Sequence, residues 1–218
     1  MSCVLLDGNK AADEDHMFEL TAETCKKWFN GQRFGRIGTI GDGSCFFHSL
    51  CLSLNIAGYR SKEKKKIAYA LRKALSDSFK KDDYSKILKE MESQKHKTFE
   101  EIKEGLENPK IWAEEIMIRW ASKFLGANII FINLSDNKNA PYCGVHDEIT
   151  LTDVKRCTKP GLPTIIVGWV NSSHFELLAR IDHVGDDVKV RTAFDPNNAT
   201  DLKTIQNLMK SYKAHCRV

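Results

Sequence analysis

The chain has 218 residues, of which 42% are hydrophobic and 28% charged, a composition typical of one folded globular domain with modest extensions. Its net charge of +4 is too small to indicate a nucleic-acid partner, and no apolar run approaches the ~20 residues that a membrane-spanning helix needs. We therefore expect no nucleic-acid partner and no membrane partner.

The cysteines and the N-terminus indicate the compartment. The chain contains seven cysteines, and residues 1–7 lack the basic start and long apolar centre of a signal peptide. An odd number of cysteines without such a signal argues against a disulfide framework and favours a reducing, cytoplasmic location. Cys143 and His146 could be two metal ligands, but no second pair accompanies them, so we expect no metal and no cofactor.

A glycine-rich segment precedes the first strong helix signal. Residues 31–43 contain five glycines, which is typical of a mobile loop rather than a packed element. Apolar residues then recur at the spacing of one buried helical face, and Gly58 is a suitable C-terminal stop. The residues of that face are Phe46, Phe47, Leu50, Cys51 and Leu54.

Three further helices are predicted before residue 127, each from a different signal. The first has apolar residues at four-residue spacing, and the second begins at a capping box. The third opens at a proline, carries one apolar stripe and ends at a glycine. The residues are Ile67, Leu71 and Leu75 in the first; Thr98 and Glu101 in the second; and Pro109, Trp112, Ile116, Trp120, Phe124 and Gly126 in the third.

The later part of the chain has the pattern of strands. Residues 128–134 and 164–170 are short, apolar and β-branched, as buried strands are. Residues 174–181 alternate between apolar and mostly polar positions, and residues 188–194 are their predicted hairpin partner, with a final helix around residues 205–212. Helices first and strands later predict an α+β (mixed α/β) domain with a small central sheet flanked by helices.

Cys45 lies where the glycine-rich segment meets the first apolar helix. The partial positive charge of a helix N-terminus favours a thiolate, and the first backbone N–H groups of the helix are unpaired and can hold a developing oxyanion. One interpretation is therefore a partly exposed nucleophilic thiol. The other is a small buried hydrophobic residue, as most thiols are, and the local sequence does not decide between the two.

His174 favours the catalytic interpretation. It follows a polar loop and begins the alternating strand, so we expect it at an exposed strand end, facing away from the core. Glu176 shares its face about 7 Å along the strand, where a carboxylate can orient the imidazole. Asp42 is a second candidate for an orienting or electrostatic role. His48 lies one turn into the Cys45 helix, and we expect it to be directed along that helix.

Three segments resemble, in family order, the motifs of the ovarian-tumour (OTU) cysteine proteases. Residues 42–50 (DGSCFFHSL) are similar to the nucleophile motif, in which Asp-Gly-x-Cys precedes an aromatic pair. Residues 112–121 and the following strand resemble the middle block, and residues 174–178 (HFELL) resemble the histidine motif. The departures are Ala113, where glycine is frequent in the family, and Glu176, where asparagine or aspartate is common.

The resemblance implies a papain-like OTU fold and a deubiquitinating thiol protease, which hydrolyses the isopeptide or peptide bond after the C-terminal glycine of ubiquitin. It implies Cys45 as nucleophile, His174 as base and Asp42 or Glu176 as the third triad member, with oxyanion donors on the backbone of Gly43 and Ser44. The implied partner is ubiquitin or polyubiquitin. Two alternatives stay open: a hydrolase for another ubiquitin-like modifier, and a catalytically silent ubiquitin-binding module.

The same resemblance implies a division of the chain into three parts. Residues 1–30 are an N-terminal extension, residues 31–183 are the OTU catalytic domain, and residues 184–218 are a C-terminal strand and helix packed on that domain. Segments 31–43 and 169–173 are expected to form the narrow channel that receives the glycines at the C-terminus of the conjugate.

Overall fold

The structure is a computed structural model that describes residues 4–5, 16–59, 63–90, 97–134, 161–171, 173–184 and 187–215. The Cys143–His146 pair considered as metal ligands lies outside these residues. The chain forms two units. We call residues 1–39 together with 128–218 the sheet unit, and residues 40–127 the helical unit.

Among the described residues, a seven-stranded mixed sheet forms the framework of the sheet unit. Its strands are β1 Val4–Leu5, β2 Met17–Glu19, β3 Phe34–Ile37, β4 Asn128–Asn133, β5 Thr164–Val170, β6 His174–Val184 and β7 Asp187–Arg191. Their order is β1-β2-β3-β6-β5-β4, with β7 paired to the distal half of β6. The pairs β1–β2 and β4–β5 are parallel, and the others are antiparallel. Strand β6 therefore lies between β3 and β5.

Two helices of the sheet unit, α1 (Ala22–Phe29) and α7 (Ala199–His215), share a hydrophobic core with the strands. Thr21 is the N-cap of helix α1, and its side chain accepts a hydrogen bond from the backbone of Thr24. The buried core residues are Cys25, Trp28, Phe29, Phe34, Ile130, Ile132, Ile166, Leu178, Phe194, Ile205 and Leu208. Helix α1 thus contributes to the same core as the strands, and the division of the chain at residues 30 and 183 stays a prediction.

The helical unit contains, within its described part, the helices α2 Cys45–Ser53, α3 Lys64–Ser78, α4 Lys81–Glu90, α5 Phe99–Glu107 and α6 Glu115–Leu125. The predicted capping box of Thr98 and Glu101 is present, and Gly126 ends α6 in the left-handed conformation at φ 58°. The indole nitrogen of Trp120 donates to the carbonyl of Leu75 at 2.9 Å, which ties α6 to α3. Among the residues described, no helix is long and apolar enough to span a membrane. The α+β class is confirmed.

The prediction of a mobile loop over residues 31–43 was wrong. Residues 34–37 are strand β3, and all four are buried. A Cβ atom on Gly35 would lie 2.9 Å from the Met17 side chain, so this glycine permits close packing of two strands. At Gly35 the glycine meets a steric requirement inside a sheet, so it does not indicate a flexible backbone.

The helix predicted to open at Pro109 begins later, at Glu115. The carbonyls of Asn108 and Ile111 accept hydrogen bonds from Arg72 of α3, so the backbone before Glu115 is held in an irregular conformation. The predicted apolar stripe is only partly buried. Ile116 and Trp120 are buried, whereas Trp112 and Phe124 are 50% and 42% exposed.

The polar face predicted for β6 also differs from expectation. Residues 175–181 are all buried, so both faces of β6 are covered by other parts of the molecule. Glu176 is 0% exposed, although its alternation with apolar neighbours predicted a residue facing away from the core. Alternation alone does not identify a solvated face when both faces of the sheet are covered.

Candidate active site

Cys45 is the first residue of α2, as the sequence predicted. We call residues 41–45 the cysteine loop. Gly43 has φ 83°, and a Cβ atom there would lie 2.7 Å from the carbonyl oxygen of Pro109, so both the turn and the close approach require glycine. The thiol residue is only 6% exposed, less than the partly exposed side chain that we expected. It lies at the positive end of a helix.

Ser44 occupies the N-cap position of α2, but its side chain makes no capping hydrogen bond. Its hydroxyl instead donates to the carbonyl of Pro109 at 3.2 Å and accepts from Arg72 at 3.2 Å. The backbone N–H of Ser44 donates to Oδ1 of Asp42 at 3.0 Å. The side chain that usually caps a helix is therefore committed to holding the loop against the segment around Pro109.

Asp42 accepts the hydrogen bonds that hold the cysteine loop in place. Its carboxylate receives the N–H of Ser44, Nε2 of His48 at 3.2 Å and the hydroxyl of Tyr69 at 3.2 Å. Since a carboxylate only accepts, Nε2 of His48 carries a proton. The Nδ1 atom of His48 lies 2.7 Å from the hydroxyl of Tyr59, which completes the chain of contacts. The carboxylate thereby fixes the loop to α2 and α3.

The surroundings of Asp42 also affect Tyr69. Burial, then the negative charge of Asp42 and the hydrogen bond to it, raise the pKa of the Tyr69 phenol. The phenol therefore keeps its proton and remains a donor to the carboxylate. His48 is fully buried and bonded inside this cluster, whereas the sequence suggested a residue directed along the helix.

Arg72 joins the cysteine loop to the end of α5 and the segment between α5 and α6. Its guanidinium is fully buried and lies 4.4 Å over the ring of Phe47. It donates to the carbonyl of Gly43 and the hydroxyl of Ser44, and also to four backbone carbonyls at the end of α5 and just after it. Those carbonyls belong to Gly105, Leu106, Asn108 and Ile111. Burial lowers the pKa of Arg72 to about 10, while the charges of Asp42, Tyr69 and Cys45 act in the opposite direction.

His174 begins β6 after a tight turn in the sheet unit. Asn171 adopts the left-handed conformation at φ 52°, and His174 pairs with Val170 of β5. The imidazole is half-buried, and its Nε2 atom lies 3.3 Å from the hydroxyl of Thr39, two residues beyond β3. That hydroxyl also contacts the carbonyl oxygen of Phe175 at 2.6 Å.

Glu176 lies in the interior of the sheet unit. Its carboxylate is 3.3 Å from the guanidinium of Arg36 on β3, and the two side chains are 0% and 3% exposed. Because Arg36 is registered opposite Leu178, it lies diagonally across from Glu176 on the same face of the sheet. The buried carboxylate therefore has a buried cation beside it, as a charge in such an environment requires.

The predicted residues fall into two groups, one in each unit. Asp42, Gly43, Ser44 and Cys45 form the cysteine loop, and His174 and Glu176 lie on β6. Sequence reasoning missed the residues that support them, which are Arg36, Thr39, Tyr59, Tyr69 and Arg72, and it gave His48 no role. Only the spacing of Tyr69 and Arg72, three residues apart on one helix, could have indicated a shared face.

A protein-family model described as OTU-like cysteine protease matches residues 40–155. No curated protein matches the sequence. A solved structure of an ovarian-tumour (OTU) domain in complex with ubiquitin is 13% identical with a TM-score of 0.51, and the match covers 96% of this chain and 95% of that chain. This likeness shows a common fold.

Two further solved structures are less similar. The OTUD1 OTU domain is 12% identical with a TM-score of 0.41, covering 66% of this chain and 85% of that one. The Hazara virus OTU bound to ubiquitin is 13% identical with a TM-score of 0.39, covering 69% and 83%. The family model spans more than half of the sequence and includes the whole cysteine loop. The chain belongs to the family of OTU-like cysteine proteases.

Proposed function

We propose that the chain is a deubiquitinating thiol protease that cleaves the bond after the C-terminal glycine of ubiquitin, with Cys45 as nucleophile and His174 as general base. The observation that carries the proposal is the cysteine loop. A thiol lies at the N-terminus of a helix whose N-cap side chain makes no cap, behind a left-handed glycine. This arrangement favours a thiolate and suits a nucleophile.

The proposed reaction has two halves. His174 accepts the proton of the Cys45 thiol, and the thiolate attacks the carbonyl carbon of the scissile bond. Backbone N–H groups of the loop, that of Gly43 among them, stabilise the tetrahedral oxyanion, which collapses to a thioester as His174 protonates the leaving amine. Water, deprotonated by His174, then attacks the thioester, releases the carboxylate of the modifier and restores the thiol.

Asp42 and Glu176 contribute differently in this proposal. Asp42 supports the nucleophile, because its carboxylate holds the Ser44 N–H, His48 and Tyr69 and so fixes the loop that carries the oxyanion donors. The Ser44 N–H is thus shared with Asp42 rather than reserved for substrate. Glu176, on the His174 strand, is the third triad member that the sequence suggested as an alternative to Asp42, and in the fold its charge is balanced by Arg36.

Ubiquitin is the modifier that we propose as the first substrate and partner. The solved OTU domain that shares this fold is bound to ubiquitin, and that complex motivates the choice. Conjugated and chain-linked ubiquitin are included in the proposal. The chemistry needs a reduced thiol at Cys45, which is consistent with the reducing, cytoplasmic location that the odd number of cysteines favours.

The test uses a ubiquitin–fluorophore substrate and a ubiquitin probe whose C-terminal glycine is replaced by an electrophile. Wild type should release the fluorophore and form a covalent adduct at Cys45, and Cys45→Ala should do neither. The matched control is Cys51→Ala, which removes a buried thiol of the same helix and should leave both reactions intact.

Other outcomes contradict the proposal in defined ways. Turnover of a different ubiquitin-like modifier, but not of ubiquitin, would support the proposed reaction and show that the proposed substrate is wrong. Binding of ubiquitin without turnover or adduct would identify a silent binding module. An adduct that peptide mapping assigns to Cys51 would overturn the choice of nucleophile.

A further inference from the structure

Thr39 is a buried polar residue beside the proposed base. It lies two residues after β3, is 4% exposed, and its hydroxyl contacts two groups of β6. One is the carbonyl oxygen of Phe175 at 2.6 Å, and the other is Nε2 of His174 at 3.3 Å. Each contact has the distance of a hydrogen bond.

The two contacts together determine where the protons are. A threonine hydroxyl has one proton to donate, and a carbonyl oxygen can only accept. At 2.6 Å the hydroxyl therefore donates to Phe175, and towards His174 it can act only as an acceptor. Neutral His174 must then carry its proton on Nε2, which leaves Nδ1 with the lone pair.

We propose that Thr39 is a positioning residue that fixes the tautomer and orientation of His174, so that Nδ1 is the nitrogen that accepts the proton of the nucleophile. The inference rests on the proposed function, because it assigns the partner of the proposed base. Thr39 has the orienting role that a carboxylate has in serine proteases, but without a charge.

The two carboxylates considered for this role have other partners. Glu176 lies beside the buried guanidinium of Arg36, and Asp42 accepts from Ser44, His48 and Tyr69. A neutral hydroxyl stabilises an imidazolium less than a carboxylate does. Its loss should therefore cost about tenfold in kcat, the factor that corresponds to one neutral hydrogen bond, rather than the ~10⁴ of a triad aspartate.

The experiment compares Thr39→Val, which keeps the shape and removes the hydroxyl, with Thr39→Ser, which keeps the hydroxyl. On the ubiquitin–fluorophore substrate, Thr39→Val should lose about tenfold in kcat with KM little changed, and Thr39→Ser should remain within about twofold of wild type. The matched control is Thr204→Val. Thr204 is also buried and also bonds through its hydroxyl, to Arg180 and the carbonyl of Thr200, and its loss should leave kcat unchanged.

A second readout detects the tautomer directly. In a Cys45→Ala background, where no thiol can protonate the ring, ¹⁵N NMR of the neutral His174 imidazole should show the proton on Nε2. Thr39→Val should shift that population toward Nδ1–H, and Thr39→Ser and Thr204→Val should not. A purely structural role for Thr39 would alter stability without moving the tautomer.

The results separate this inference from the proposed function. An Nδ1–H tautomer with Thr39 intact, or a Thr39→Val protein with wild-type kcat and tautomer, overturns the role of Thr39 and leaves the protease standing. If Thr39→Val does not fold, the tautomer of His174 measured in the protein that retains Thr39 still tests the inference. Full turnover by His174→Ala would instead show that His174 is not the general base, and it would contradict the proposed function as well.

Discussion

The cysteine loop and the start of β6 are held in place by different means. The loop has no strand partner and is fixed by side chains, with Asp42 accepting three hydrogen bonds and Arg72 donating to the backbone on both sides. Strand β6 is fixed by backbone pairing with β3 and β5, and residues 175–181 are buried. The position of Cys45 in the loop therefore depends on a few polar side chains, whereas the position of His174 on the strand depends on many backbone hydrogen bonds.

The difference matters most for the two carboxylates. Replacing Asp42 removes the carboxylate that accepts all three hydrogen bonds of the loop, but it leaves helices α2 and α3 intact. Removing Glu176 leaves Arg36 as a buried cation beside a neutral group, which is costly because the charge has already lost its water. The same type of substitution should therefore lower activity in one region and stability in the other.

The largest expected effect tests whether the two regions act as one catalytic unit. Cys45→Ala and His174→Ala should each lower kcat/KM by about 10⁶, the loss found for the nucleophile or base of a serine protease, and the double variant should lose no more. The measurement is turnover of the ubiquitin–fluorophore substrate by both single variants and the double variant. Losses that multiply would mean that the two side chains act independently.

The comparison of carboxylates predicts a crossed pattern. Asp42→Ala should lose about 10²–10³ in kcat/KM, as when one oxyanion donor is removed, with a modest change in stability. Glu176→Gln should be destabilised by about 3–5 kcal/mol, the cost of breaking a buried ion pair, in urea unfolding. It should lose no more activity than Asp42→Ala. Glu176→Gln that is inactive but as stable as wild type, with active Asp42→Ala, would make Glu176 the triad member.

The sequence predicted the elements better than their surroundings. The helix that starts at Cys45, the capping box of Thr98 and the strand that starts at His174 were all local patterns, and they are present. Burial of Glu176 depends on what packs on its face of the sheet, where the buried Arg36 side chain lies beside it, and no local pattern contains that information. The α+β class followed from the order of the elements alone.

The supporting residues of the site could not be predicted either, because their contacts are also tertiary. Arg72 and Tyr69 meet the cysteine loop across 27 or more residues of chain, and Thr39 meets His174 across 135. Apart from the three-residue spacing of Tyr69 and Arg72 on one helix, nothing in the chain alone distinguishes these residues from ordinary surface or core residues. Helix spacing and glycine content describe neighbours along the chain, whereas these contacts are made by the tertiary fold.

A smaller effect is expected when the loop loses its guanidinium but keeps a positive charge. Arg72→Lys cannot reach the carbonyls of Gly43 and Ile111 together, because an ammonium lacks the planar fork of five donors. We expect kcat to fall about tenfold and KM to change little, since the loop that carries the oxyanion donors is loosened. The control is Arg119→Lys, a similarly buried arginine of the helical unit that bonds to Glu115. Equal kcat in both variants would contradict the role of Arg72.

The smallest effect contrasts two thiols of the same helix. Cys51 lies nearly two turns beyond Cys45, is fully buried, and burial raises its pKa to about 12 from 9.0. The folded state therefore keeps this thiol neutral at pH values where the unfolded chain ionises it. The stability contributed by the neutral thiol is fully present below pH 9 and is lost as the pH rises towards 12.

Cys51→Ala should cost about 1 kcal/mol at pH 7 and leave turnover unchanged. Its unfolding free energy should then fall less steeply than that of wild type above pH 9, as urea unfolding at several pH values can measure. Parallel curves for the two proteins across that range would show that Cys51 ionises equally in both states, and the contrast between an active and an inert thiol on α2 would then need another cause.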